Sequence, residues 1–181
     1  MRDVEGQSVR GLIRTIPDYP KPGILFRDVT TLLADGAGLR AAIDALSAPY
    51  TEQAVGKVAA IEARGFILGG AIADRLGAGF VPVRKRGKLP FTTVGVDYAL
   101  EYGVDRVEVH TDAIERGDRI LLVDDLIATG GTAIAACDLI EQLGGVIVGV
   151  ATIIDLPDLG GSTRIRERGL AVHALCEFEG H

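Results

Sequence analysis

Apolar and polar positions along this chain fall into blocks of changing period, and the blocks predict strands separated by helices. Val9, Leu12, Ile13 and Ile16 fit one face of a short helix, ended by a rigid turn holding Pro17, Pro20 and Pro22. Asp35 is placed to cap a second helix, whose inner face is Leu39, Ala42, Ile43 and Leu46. Val58–Ile61 reads as a strand and Phe66–Leu76 as the helix after it, with Gly69 and Gly70 marking close packing on a sheet. Phe80–Val83 is the next strand. Leu89–Asp105 shows no clean period, and Val107–His110 alternates as a half-buried strand does. Ile120–Val123 is a short buried strand. Ile134, Cys137, Ile140 and Leu143 recur every three residues, a helical stripe stopped by Gly144 and Gly145. Val146–Ile154 is apolar almost throughout, the mark of a central parallel strand. Beyond Asp155–Pro157 come a short helix with Arg164, Ile165 and Arg168, then a last strand within Leu170–Phe178. This alternation predicts an α/β fold, a mostly parallel central sheet with helices on both faces.

Ligands of such sheets bind at the carboxyl ends of the strands. Three polar groups stand there. Glu62, Ala63 and Arg64 follow one strand. Arg84, Lys85, Arg86 and Lys88 follow another, and Asp124 and Asp125 stand where a third would end. The formal net charge is −6, so the cationic run is a local reversal that suits a polyanion such as pyrophosphate; it also reads as an ordinary solvated loop. The same −6 argues against a nucleic-acid partner. Hydrophobic residues make up 48% of the 181, enough for the core of one domain spanning 1–181. Cys137 and Cys176 lie among apolar residues without metal-ligand spacing and read as reduced core residues. There is no apolar signal core at the N-terminus, and no apolar run approaches the roughly 20 residues of a membrane span. A soluble cytoplasmic protein without a membrane partner is expected.

The chemistry concentrates in Arg119–Thr132. A strand is followed by two acids and then by Ala128-Thr129-Gly130-Gly131-Thr132 at the start of a helix. A glycine turn can aim successive N–H groups into one concavity, and the helix start adds partial positive charge, so the geometry suits a phosphate. No lysine follows the glycines as in a nucleotide P-loop, and GxGxxG is absent. Acids repel phosphate, so Asp124 and Asp125 should face sugar hydroxyls or a divalent cation. A ligand with a ribose and a terminal phosphate satisfies both halves. The plainer alternative is that the two acids only cap the turn.

Val123-Asp-Asp-Leu-Ile-Ala-Thr-Gly-Gly-Thr132 closely resembles the phosphoribosyl-pyrophosphate signature of the type I phosphoribosyltransferases. Pro22-Gly-Ile-Leu-Phe-Arg-Asp-Val-Thr30 and Leu100-Glu-Tyr-Gly103 are similar to segments of the adenine-specific branch. The likeness spans roughly positions 9 to 178. It implies the type I fold with an N-terminal hood at about 1–34 and a flexible flap at about 87–106. It implies transfer of the phosphoribosyl group from 5-phosphoribosyl 1-pyrophosphate to adenine, giving AMP and pyrophosphate. Another base, xanthine or guanine, and a regulator that senses the same pyrophosphate on this fold, are the alternatives. By the resemblance Asp124 and Asp125 hold the ribose, and Ala128, Thr129, Gly130, Gly131 and Thr132 hold the phosphate. Arg64, Arg84, Lys85 and Lys88 meet the pyrophosphate, near a cis peptide at Glu62–Gly65. Phe26 stacks on the purine while the backbone at Leu25 and Arg27 reads its edge. Glu101 is the acid–base partner of the purine, and Tyr102 shields the reaction from water. Mg2+ enters with the substrate, without direct protein ligands, and the assembly is a homodimer. From residue type alone, Phe26 reads as a core aromatic, Arg64 as a surface cation at a helix start, and Glu101 as a solvated loop acid. His110 reads as structural. Phe91–Asp97 matches no pattern of the family.

Overall fold

The structure, a computed structural model, describes residues 9–99 and 103–180. Seven strands among these residues form one sheet in the order β5-β6-β4-β3-β7-β8-β9. They are β3 (Lys57–Ile61), β4 (Gly79–Lys85), β5 (Thr93–Ala99), β6 (Val104–His110), β7 (Arg119–Ile127), β8 (Val146–Asp155) and β9 (Val172–Glu177). The five from β4 to β9 in that order run parallel, and β6 and β5 add an antiparallel hairpin at one edge. A separate antiparallel two-stranded ribbon, β1 (Arg14–Pro17) and β2 (Leu25–Asp28), lies within the stretch expected to form a hood.

Period-2 alternation divides the core into two layers. On β7, Leu121 and Val123 face one side with Leu46 of α2 (Gly36–Ser47) and Leu68 and Ile72 of α3 (Arg64–Leu76). Ile120 and Leu122 face the other, with Ala136, Cys137 and Ile140 of α4 (Gly131–Gln142) and Ile165 of α5 (Gly161–Glu167). The short α1 (Thr30–Ala34) leads from the ribbon into the first layer through Leu32. Asp35 caps α2 as expected, its carboxylate accepting from the Gly38 N–H at 2.7 Å. Cys137 and Cys176 are both buried, and no disulfide joins them.

Several expectations change. Val9, Leu12, Ile13 and Ile16 do not share a helix. Helix covers only residues 9–11 of the described chain, and Ile16 lies in β1 opposite Phe26. Pro17 explains this, because the residue before a proline is driven toward extended backbone. Leu89–Asp105 is not irregular, for it contains β5, paired with β6 from Thr93↔His110 to Ala99↔Val104. The overlooked signal is Val94, Val96 and Tyr98, which alternate and pack toward α4. Arg84 and Lys85 belong to β4 rather than to a loop after it. Of the paired glycines only Gly69 is tightly packed. A Cβ there would stand 2.4 Å from that of Ala60, whereas one at Gly70 would meet nothing within 4 Å.

Candidate functional site

The carboxyl ends of β3, β4 and β7 bring the predicted polar groups together. β7 does not end before the acids. It keeps pairing with β8 through Ile127↔Asp155, while its pairing with β3 stops at Val123. Asp124 and Asp125 therefore stand where one neighbouring strand has already turned away. That neighbour turns at Glu62–Ala63, a cis peptide in the stretch where the resemblance implies one. The turn delivers Arg64 to the start of α3, where its Nε donates to Asp125 Oδ2 at 2.5 Å. Gly65 lets the helix start approach this closely, since a Cβ on it would lie 3.1 Å from Asp124 Oδ1.

The two acids differ electrostatically. Asp125 is 6% exposed and holds the Arg64 guanidinium. Asp124 accepts only the Asp125 N–H, at 2.9 Å, among its observed bonds. Burial, then repulsion from Asp125, drives the Asp124 pKa well above the ordinary carboxylate range. Burial alone would lower the pKa of Arg64. The hydrogen bond and charge of Asp125, with Asp124 and Asp28 behind it, raise it instead.

Beyond β7 the chain makes the glycine turn. Gly130 has φ of +80°, a conformation that suits glycine, and precedes α4. The first bond into that helix is Ile134 N–H to the Gly130 carbonyl at 2.8 Å, so the amides of Gly131, Thr132 and Ala133 lie in the first turn without intrahelical acceptors. The carbonyls of Ala128 and Thr129 are taken by α5, through the Gly161 N–H at 3.1 Å and Arg164 Nη1 at 2.9 Å. Neither Gly161 nor Arg164 stood out in the sequence. The contact joins residues 35 apart, and no local spacing reveals it.

The cationic cluster is divided. Arg84 Nε donates to Glu62 Oε2 at 2.8 Å, and its Nη1 to the Lys88 carbonyl at 3.0 Å. Lys85 points to the hairpin, bonded to Asp105 on β6 and the Tyr98 hydroxyl on β5. Burial lowers the Lys85 pKa, and the bonds to Asp105 and Tyr98 outweigh it and raise it. Arg86 and Lys88 are exposed. Glu101 and Tyr102 lie outside the described residues.

In the β1–β2 ribbon, Phe26 is half-buried against the edge of Tyr19, ring centroids 5.2 Å apart, and it belongs to neither core layer. The reading as a core aromatic is set aside. The Arg27 side chain turns to Thr15 Oγ1 at 2.6 Å and over the Phe178 ring, 4.5 Å from its centroid, while Leu25 is half open to solvent. Arg14 holds Asp28 at 2.5 Å and Thr30 N–H holds its other oxygen at 2.9 Å, which takes the Asp28 pKa down to about 2. His110 ends β6 opposite Thr93, its ring edge-on to Phe91 at 6.1 Å. No group of three or more His, Cys, Asp or Glu among the described residues is arranged to hold a metal ion. No described helix is long and apolar enough to cross a membrane.

Residues 29–172 match the phosphoribosyl transferase domain family. The chain is 64% identical over 174 residues to an adenine phosphoribosyltransferase of Cereibacter sphaeroides, covering 96% of this chain and 98% of that one. It superposes on the crystal structure of adenine phosphoribosyltransferase from Rhodothermus marinus with a TM-score of 0.90 at 50% identity, covering 97% and 99% of the two chains. The Saccharomyces cerevisiae enzyme, solved with adenine and an imino-altritol bisphosphate, gives 0.90 at 34% identity over 96% and 99%.

Proposed function

Because this chain belongs to the phosphoribosyl transferase domain family, among its adenine phosphoribosyltransferases, we propose that its acid pair and glycine turn grip the two ends of one sugar phosphate. The reaction is transfer of the phosphoribosyl group from 5-phosphoribosyl 1-pyrophosphate to adenine, giving AMP and pyrophosphate. The observation that carries the site assignment is the placement of Asp124 and Asp125 three residues before a turn whose carbonyls face away into α5. The amides from Thr129 to Thr132 then suit the 5′-phosphate, and the acids suit the ribose hydroxyls.

Departure of pyrophosphate builds positive charge on the ribose ring and negative charge on the leaving group. Asp124 and Asp125 put negative potential beneath the ring, and Asp125 aligns Arg64 toward the leaving group. Arg84, Lys85 and Lys88 complete the cationic side. Arg84 and Lys85 already hold carboxylates, Glu62 and Asp105, with which an incoming pyrophosphate competes. No group of three or more His, Cys, Asp or Glu among the described residues is arranged to hold a metal ion by itself, so magnesium would enter with the pyrophosphate and would neutralise leaving-group charge there. Binding energy from the 5′-phosphate fixes the reacting carbon between these groups. Phe26 supplies a stacking face for the purine, and the Leu25 and Arg27 backbone supplies the hydrogen bonds that select it. Glu101 carries the purine's proton, and Tyr102 shields the centre from water. The enzyme works as a homodimer in the cytoplasm; light scattering checks the first of these.

Turnover with phosphoribosyl pyrophosphate and magnesium, run with adenine, guanine, hypoxanthine and xanthine in turn, tests base choice. Adenine is expected to outrun the rest by at least about 100-fold, the margin that a base-reading hydrogen-bonded site provides. Comparable rates with a 6-oxopurine contradict the assignment.

A further inference from the structure

We propose that Gly161 and Arg164, at the start of α5, are positioning residues that aim the amides of the 128–132 turn at the 5′-phosphate. The proposal rests on reading that turn as the phosphate site. A trans peptide is planar, so its C=O and N–H point in opposite directions. Neither the Ala128–Thr129 nor the Thr129–Gly130 peptide is cis. The Ala128 carbonyl accepts from Gly161 N–H at 3.1 Å, and the Thr129 carbonyl accepts from Arg164 Nη1 at 2.9 Å. Both carbonyls are thus fixed on the α5 side, which turns the Thr129 and Gly130 N–H groups away from α5. Two consecutive peptide planes are set this way by an element that enters the chain only after β8.

The contact admits no side chain at residue 161. A Cβ on Gly161 would stand 2.2 Å from the Ala128 oxygen and 2.6 Å from the Gly130 nitrogen. One on Gly130 would stand 2.9 Å from the Gly161 Cα. α5 is itself anchored, because Ile165 is fully buried in the second core layer and Gly161 and Ser162 are buried above it. Arg164 is exposed, so its exchange removes the bond to Thr129 without opening the core. Charge and donor can be separated at this position. Arg164→Met removes both, Arg164→Gln keeps an N–H donor without charge, and Arg164→Lys keeps both.

Calorimetric titration of the full chain with AMP and with adenosine is the test. The wild type should bind AMP far more tightly than adenosine. Arg164→Met should weaken AMP about tenfold, the equivalent of one charge-assisted hydrogen bond, with adenosine affinity and melting temperature unchanged. Arg164→Gln should recover most of that loss. Gly161→Ala should lose at least as much AMP affinity wherever it folds. Wild-type AMP affinity in Arg164→Met overturns the proposal. So does equal weakening of AMP and adenosine in Arg164→Met, because a bond that aims amides at the phosphate acts only on the ligand that carries one. Equal binding of AMP and adenosine by the wild type overturns something earlier, the phosphate site itself, and the proposal with it.

Discussion

Arg64 Nε and Asp125 Oδ2 lie 2.5 Å apart, joining the start of α3 to the acid pair on β7. Asp125 is nearly buried and Arg64 is half open. Removing the cation strands a carboxylate, while much of the pair's own attraction is screened by solvent. Arg64→Met is expected to lower stability by about 1–2 kcal/mol in urea denaturation. It is also expected to raise KM for phosphoribosyl pyrophosphate about tenfold with little change in KM for adenine, and Arg64→Lys recovers part of both. An equal rise in both KM values contradicts the leaving-group assignment.

Asp124 trades stability for function. Burial first, and the Asp125 charge second, raise its pKa well above 3.8. The folded chain therefore holds this proton more tightly than the unfolded chain does. The group's stabilising contribution is full below pH 3.8 and is lost as pH rises through the higher folded value. Asp124→Asn should melt above wild type at neutral pH, by about 2–4 °C, the shift that about 1 kcal/mol gives in a domain of this size. The margin should close on acidification. Turnover of the Asp124→Asn, Asp125→Asn double variant should fall by orders of magnitude with the fold retained.

Asp28, on the β1–β2 ribbon, carries the opposite sign. Arg14, then Thr30, depresses the Asp28 pKa from 3.8 to about 2, so the contribution is full above 3.8 and fades as pH falls through about 2. Asp28→Asn should melt below wild type at pH 7, and the two curves should converge toward pH 2. Since Asp28 follows Leu25, Phe26 and Arg27 on one strand, KM for adenine should rise before that for phosphoribosyl pyrophosphate.

Two adjacent glycines of α3 should respond in opposite directions. Gly69→Ala drives a methyl to 2.4 Å from Ala60 Cβ and should cost about 1–3 kcal/mol. Gly70→Ala points into open space and should gain about 0.5–1 kcal/mol from helix propensity. Thermal melts of the two single variants check the pair.

These elements differ in how far they could be read from sequence. β7, β8 and α4 were legible because long apolar runs and a three-residue stripe report burial directly. The acid pair and glycine turn were legible because their chemistry is contiguous. β5 was hidden because Gly95 and Asp97, residue types that mark turns, sit between Val94, Val96 and Tyr98. That glycine makes room for the Arg106 side chain, whose Nε would lie 2.5 Å from a Cβ there. The pairing of Lys85 with Asp105 and Tyr98 was hidden because three strands supply its members. Gly161 and Arg164 were hidden because their partners are carbonyls, which every residue has.

The central claim is that one sugar phosphate spans the acids and the glycine turn, and a crystal structure with AMP tests it most directly. The phosphate should lie against the amides of Thr129 to Thr132 and the ribose hydroxyls against Asp124 and Asp125. A phosphate seated on Arg84 and Lys88, or a ribose turned from both acids, would contradict it.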